Sequence, residues 1–194
     1  MINKITSINS LILFIIFLIY CGCTPTSPSL PDTSKTNPTI PTIDYDQKLS
    51  DLNINLEKPT VPVANYVHIV QTGNLLFLAG KGPKMPDGNY VTGKLGRDLT
   101  EEEGYAAARQ VGVLQLAVLK DHLGDLNKIK RIVKVLGMVN ATEDFKNHPE
   151  VINGFSDFMV EVFGERGKHA RAAVGMGSLP RGIAVEIEVV VEVY

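Results

Sequence analysis

Tryptophan is absent from this 194-residue chain and cysteine nearly so: Cys21 and Cys23 are the only two, both within the first 23 residues. Beyond them the chain cannot form a disulfide, a thiolate-ligated zinc site or a cysteine nucleophile. Histidine is also sparse. His68, His122, His148 and His169 are scattered, with no H-x-x-x-H pair, so no metal is expected. Nor is there an excess of either charge, with 19 Lys+Arg against 21 Asp+Glu and a formal net charge of −2. Over residues 57–194 the balance is 16 to 17, and no basic stripe alternates with aromatics, so nucleic acid is not expected as a partner.

Long hydrophobic runs are lacking except at one place, Leu11–Tyr20, "LILFIIFLIY". Ten apolar residues are too few to span a bilayer but suit the apolar region of a secretory leader. The run ends in "YCGCT", which resembles a lipobox. Cys23 follows the small Gly22, while Cys21 has Leu18 three residues back but the bulky Tyr20 before it. Lipidation at Cys23 is the favoured reading; processing at Cys21, or an ordinary leader cut elsewhere, stays open. Either way residues 1–23 are set aside from the fold. Between Thr24 and Ile43, 14 of 20 residues are Thr, Ser or Pro. Such a segment cannot bury enough apolar surface to offset its ordering entropy, so 24–56 reads as a tether followed by a transition segment with a short helix packing on the domain. The expected product is an exported protein, held at a bacterial envelope membrane through a lipid anchor only.

The domain is expected over 57–194. "YVHIV" (Tyr66–Val70) and "NLLFLAG" (Asn74–Gly80) read as a β-hairpin turning at Gln71–Gly73. Lys81–Gly96, rich in Gly and Pro, reads as loop. Thr100 with Glu103 forms a capping box and starts a helix whose stripe is Ala107, Val111, Leu114 and Val118. The small residues Gly104, Ala106–Ala108 and Gly112 would let it pack closely on a sheet. A β-branched run over Lys128–Ala141 reads as a strand. Pro149 opens a second helix with the stripe Val151, Phe155, Phe158 and Val162. Strands at Arg171–Gly177 and Ile183–Val193 close the chain. The order ββαβαββ implies an α+β sandwich with both helices on one sheet face, leaving the other face in need of a partner.

Three phrases, "YVHIVQTGNLLFLAGKGP", "NATEDFKNHPEVINGFSDFM" and "HARAAVGMGSLPRGIAVEIEVVVEV", resemble the Rid family of reactive-intermediate deaminases, also called YjgF-like. Within it they look closest to the branch of YjgF-like endoribonuclease and chorismate-mutase-like domains. The likeness covers Pro62–Tyr194. It implies a homotrimer of bacillus-type chorismate-mutase-like folds, with clefts between subunits and no cofactor. In active members it implies hydrolysis of enamines and imines such as 2-aminoacrylate to 2-keto acids and ammonia. Position by position, Arg171 matches the arginine that pairs with the substrate carboxylate. Glu186, on the last strand, matches the glutamate that holds water or assists proton transfer. Tyr66 matches the tyrosine at the cleft mouth, Gly80 a glycine lining the pocket, and Asn153 a cleft asparagine. Two departures stand out: Ala79 replaces the usual pocket serine, and Ala173 a common cysteine. The loop 81–96 is also longer than usual.

The residue chemistry agrees with these assignments. A guanidinium offers a carboxylate a planar fork of donors, and one carboxylate near it can act as acid or base in enamine hydrolysis. Arg171 could instead serve a structural ion pair with Glu186 or Glu188. His169 lies two residues before Arg171, but no serine or cysteine is placed in the sequence to partner it, so it reads as structural. A non-catalytic binding module for small carboxylates on the same cleft is the second functional reading. Endoribonuclease activity is weaker, for want of paired histidines and of cations for phosphate.

Overall fold

The computed structural model describes residues 42–194; the leader, Cys23 and the tether up to residue 41 lie outside them. The first long element begins where the capping box stands. The Glu103 N–H donates to the Thr100 hydroxyl (3.2 Å), and the Thr100 N–H donates to the Glu103 carboxylate (2.8 Å). With three acids in its first turn, helix α2 (Glu101–Leu123) is matched to its own dipole. Helix α3 (His148–Phe163) opens on Pro149. It buries Val151, Phe155, Phe158 and Val162 completely, each worth about 1.5–3 kcal/mol in transfer free energy.

Five strands form one sheet in the order β1-β2-β5-β3-β4: Ile69–Thr72, Leu75–Lys81, Val185–Val193, Ile129–Asn140 and Ala170–Met176. Only β3 and β4 run parallel, α3 being their crossover. The element order is the expected ββαβαββ, preceded by helix α1 (Tyr45–Asp51), and the fold is the α+β class expected from the chain pattern. Tyr45 and Leu49 of α1 are buried in the common core, so the packed unit begins ahead of Glu57.

Two local expectations are corrected. The hairpin turns at Gly73–Asn74 rather than at Gln71–Gly73, because Gly73 takes the left-handed φ of 57° that a two-residue connection needs. Strand β1 therefore starts at Ile69 and leaves Tyr66 outside the ladder. The small residues of α2 also serve α3 more than the sheet. A Cβ at Gly112 would meet the Phe158 ring, and one on α3 at Gly154 would collide with the Tyr105 carbonyl.

Along β5 the burial alternates. Val185, Ile187, Val189, Val191 and Val193 face the helices, and Glu186, Glu188, Val190 and Glu192 face away. Apart from a small cluster of Met138, Leu179 and Ile183, the far side of the sheet is uncovered among the described residues. Val67, Val70 and Phe77 stand 58%, 56% and 44% exposed there. They border a groove of about 290 Å³ that also touches Leu136 and Val190.

Candidate active site

Arg171 is the second residue of β4, in parallel register with Val135 of β3. Partners in a parallel ladder share a face, and Val135 is fully buried under the helices, so Arg171 points to the helix side. There Nη1 donates to Asn153 Oδ1 (2.9 Å) and to Ser156 Oγ (3.0 Å), both on α3. The four-residue α3 repeat that buries Val151 and Phe155 presents Asn153 and Ser156 along the adjoining strip. No carboxylate of the described residues lies within 4.0 Å of the guanidinium, so the structural ion pair with Glu186 or Glu188 is not formed.

His169 completes this group. Its Nδ1 lies 2.7 Å from the Gly167 carbonyl and its Nε2 3.1 Å from Ser156 Oγ. The sequence expectation that no serine could partner His169 is thus corrected. Ser156 lies 13 residues away in sequence, but the α3-to-β4 connection folds it back beside the imidazole. Burial, assisted by the Arg171 charge and opposed by the Gly167 hydrogen bond, holds His169 below its ordinary pKa.

Glu186 belongs to a second group, on the opposite face. Its neighbours Val185 and Ile187 are buried under the helices, so its own side chain projects to the opposite face, beside Met138 of β3. Gly80 lies directly beneath it: a Cβ there would overlap the Glu186 carboxylate. Between the pairs Leu78–Val189 and Lys81–Ile187, β2 uses one residue more than β5. This places a bulge at Ala79–Gly80. Gln115 of α2, fully buried, pins it by donating Nε2 to the carbonyls of Ala79 (3.0 Å) and Ile187 (2.9 Å). Burial first, and then the charge of Glu188, push the Glu186 carboxyl above its ordinary pKa.

Of the residues singled out from the sequence, Arg171 with Asn153, and Glu186 with Gly80 and Ala79, are brought together as two half-sites on opposite faces. Tyr66 is half exposed, and its hydroxyl makes no hydrogen bond among the described residues. Ser156 and Gln115 were not found from sequence. Gln115 did leave a signal, a lone polar residue between Val111 and Val118 on the apolar side of α2. Among the described residues no three His, Asp or Glu side chains converge as a metal site.

Residues 47–189 match the YjgF/chorismate mutase-like family of endoribonuclease candidates, and the chain belongs to this family. It is 43% identical over 145 residues to protein TCP17 of Trypanosoma cruzi, covering 74% of this chain and 91% of that one. It is 32% identical over 135 residues to a RutC family protein of Pyrococcus horikoshii, covering 69% and 91%. Among solved structures it resembles Atu1372 of Agrobacterium tumefaciens, described as of unknown function. That likeness has a TM-score of 0.70 and 42% identity, over 77% of this chain and 93% of that one. An endoribonuclease candidate of Shewanella oneidensis MR-1 is similar at TM-score 0.73 and 29% identity, over 77% and 99%.

Proposed function

We propose that this protein hydrolyses enamines and imines of amino acids, of the 2-aminoacrylate type, to 2-keto acids and ammonia. The clefts lie between copies of the chain. One observation carries the reading: a half-buried guanidinium held at one corner by Asn153 and Ser156, with no carboxylate partner among the described residues. Its remaining Nε–Nη2 edge suits a substrate carboxylate in two parallel hydrogen bonds. Glu186, whose carboxyl keeps its proton to higher pH than usual, delivers that proton to the enamine carbon. The resulting iminium is attacked by water directed by the Glu186 carboxylate, and collapse of the adduct releases ammonia and the keto acid. No cofactor enters these steps.

Since Arg171 and Glu186 face opposite sides of one sheet, the cleft takes Arg171 and Asn153 from one copy, and Glu186 and Gly80 from the next. The uncovered apolar sheet face around Phe77 supports such an assembly, a homotrimer in this reading, with Tyr66 at the cleft mouth. The leader and Cys23 set the reaction at a bacterial envelope membrane, held by a lipid anchor.

Ala79 favours a second reading. It offers no hydroxyl to the ligand, so the same cleft could hold a keto acid without turnover. The deciding experiment generates 2-iminopropionate in situ with an amino-acid oxidase and follows its loss, with an Arg171→Ala control. Acceleration that vanishes in the control supports the hydrolase. No acceleration from a folded oligomer that still binds pyruvate would leave the binding module.

A further inference from the structure

The hydrogen bonds around His169 can be assigned a direction. The Gly167 carbonyl can only accept, so Nδ1, 2.7 Å away, carries the proton. In the neutral ring Nε2 is then an acceptor, and the Ser156 hydroxyl, 3.1 Å away, donates its single proton to it. With that proton committed, the Ser156 oxygen turns lone pairs to Arg171, whose Nη1 donates at 3.0 Å. The other Nη1 proton goes to Asn153 Oδ1 at 2.9 Å. Both Nη1 protons are used, while Nε–H and both Nη2 protons have no partner among the described residues. The Phe155 ring meets the imidazole edge-on, at 6.3 Å between centroids and 72° between planes, and fixes its orientation.

We propose that Ser156 and His169 are positioning residues that lock the Arg171 guanidinium by its Nη1 corner and leave its Nε–Nη2 edge as the carboxylate fork. The proposal rests on the reading of Arg171 as carboxylate receptor and adds how that receptor is preorganised. A free arginine carries considerable rotamer entropy, which a ligand must quench on binding. Here the fold has already quenched it, through a relay from the Gly167 backbone to His169, Ser156 and Arg171. A side-on fork also orients its ligand. Two oxygens of one ligand group must meet Nε–H and Nη2–H together, which fixes the orientation in which a carboxylate can bind.

The test uses the purified protein with Ser156→Ala, His169→Phe, their combination, and Ser156→Thr as the conservative rescue. Two quantities are measured: rotation of the Arg171 guanidinium by side-chain ¹⁵N NMR, and affinity for pyruvate. Rotation should be most restricted in the wild type and in Ser156→Thr, and faster in the other three, where Asn153 still holds Nη1. Pyruvate affinity should fall about tenfold in Ser156→Ala, the scale of one charge-assisted hydrogen bond. The double variant should be no weaker than Ser156→Ala, because the relay acts as one unit. Equal rotation in wild type and Ser156→Ala would overturn the proposal, as would additive losses. Restricted rotation lost on mutation, with no pyruvate binding by any form, would keep the lock and sink the carboxylate reading of Arg171 instead. A destabilised His169→Phe would leave the Ser156→Ala and Ser156→Thr pair to decide.

Discussion

Gly80 and Glu186 occupy adjacent space on the outer face of the sheet, so a methyl group at residue 80 would overlap the Glu186 carboxylate and lie 3.1 Å from its Cδ. The colliding atoms are the free end of a flexible side chain rather than backbone. The fold can therefore accept Gly80→Ala by swinging Glu186 aside, and stability should change by less than about 1.5 kcal/mol. The displaced carboxylate should cost turnover about 100-fold, the usual penalty for a catalytic group misplaced by an ångström. Thermal unfolding together with kcat checks this pair of outcomes. A variant that is both stable and fully active would remove Glu186 from the chemistry.

Arg171 and Glu186 lie on opposite faces of the same sheet, which makes a sharp prediction for mixed assemblies. Arg171→Ala and Glu186→Gln should each be inactive alone. Co-refolded in equal amounts, they should recover about a quarter of wild-type activity, since one cleft in four then joins an intact Arg171 to a neighbour's intact Glu186. A site contained in one chain would give no recovery. The assay is imine hydrolysis by the mixture against the two separate variants, with chain exchange verified by native mass spectrometry.

The charge of Glu188 is the second cause, after burial, of the raised Glu186 pKa. If the protonated carboxyl supplies the enamine proton, activity falls as pH rises through that pKa. Glu188→Gln removes one of the two causes, so Glu186 loses its proton at lower pH and the descending limb of the kcat profile moves to lower pH. Stability follows the same sign. A carboxyl with a raised folded pKa favours the native state below its unfolded pKa, and that contribution is lost as pH rises through the folded value. Glu188→Gln should therefore flatten the loss of stability over that interval. A limb that stays in place would assign it to another group.

Much of the architecture was legible because it rests on local rules. Thr100 and Glu103 announce their helix by hydrogen bonds three residues apart, and Val151, Phe155, Phe158 and Val162 announce the buried side of α3 by period. The β5 alternation likewise put Glu186 on the face opposite Ile187. Parity along one strand, however, says nothing about a neighbour until pairing is known. Arg171 lies on β4 and Glu186 on β5, and their opposite facing follows only from β4 pairing in parallel with β3 while β5 pairs antiparallel to it. The bulge at Ala79–Gly80 was hidden for a similar reason, since the extra residue exists only relative to β5. Ser156 could not be joined to His169 from sequence because their contact depends on how the turn at Gly164–Gly167 returns the chain.

Close approach of the two helices gives a last prediction, one of stability alone. At Gly154 an added Cβ would run into the Tyr105 carbonyl and crowd the Arg109 backbone nitrogen at 3.2 Å. Both are backbone atoms inside α2 and cannot turn away as the Glu186 carboxylate can. Gly154→Ala must therefore push α3 off α2, and the better helix propensity of alanine, about 1 kcal/mol, opposes only part of that cost. The net loss should be about 1–3 kcal/mol, seen as a lower midpoint in urea. Since Asn153 and Ser156 ride on the same helix, the shift should also loosen Arg171, so pyruvate affinity should fall with stability. Gly80→Ala should do the reverse, sparing pyruvate binding while lowering turnover about 100-fold. An equally stable Gly154→Ala protein would mean that the two helices can separate freely, and that α3 does not fix the position of Arg171.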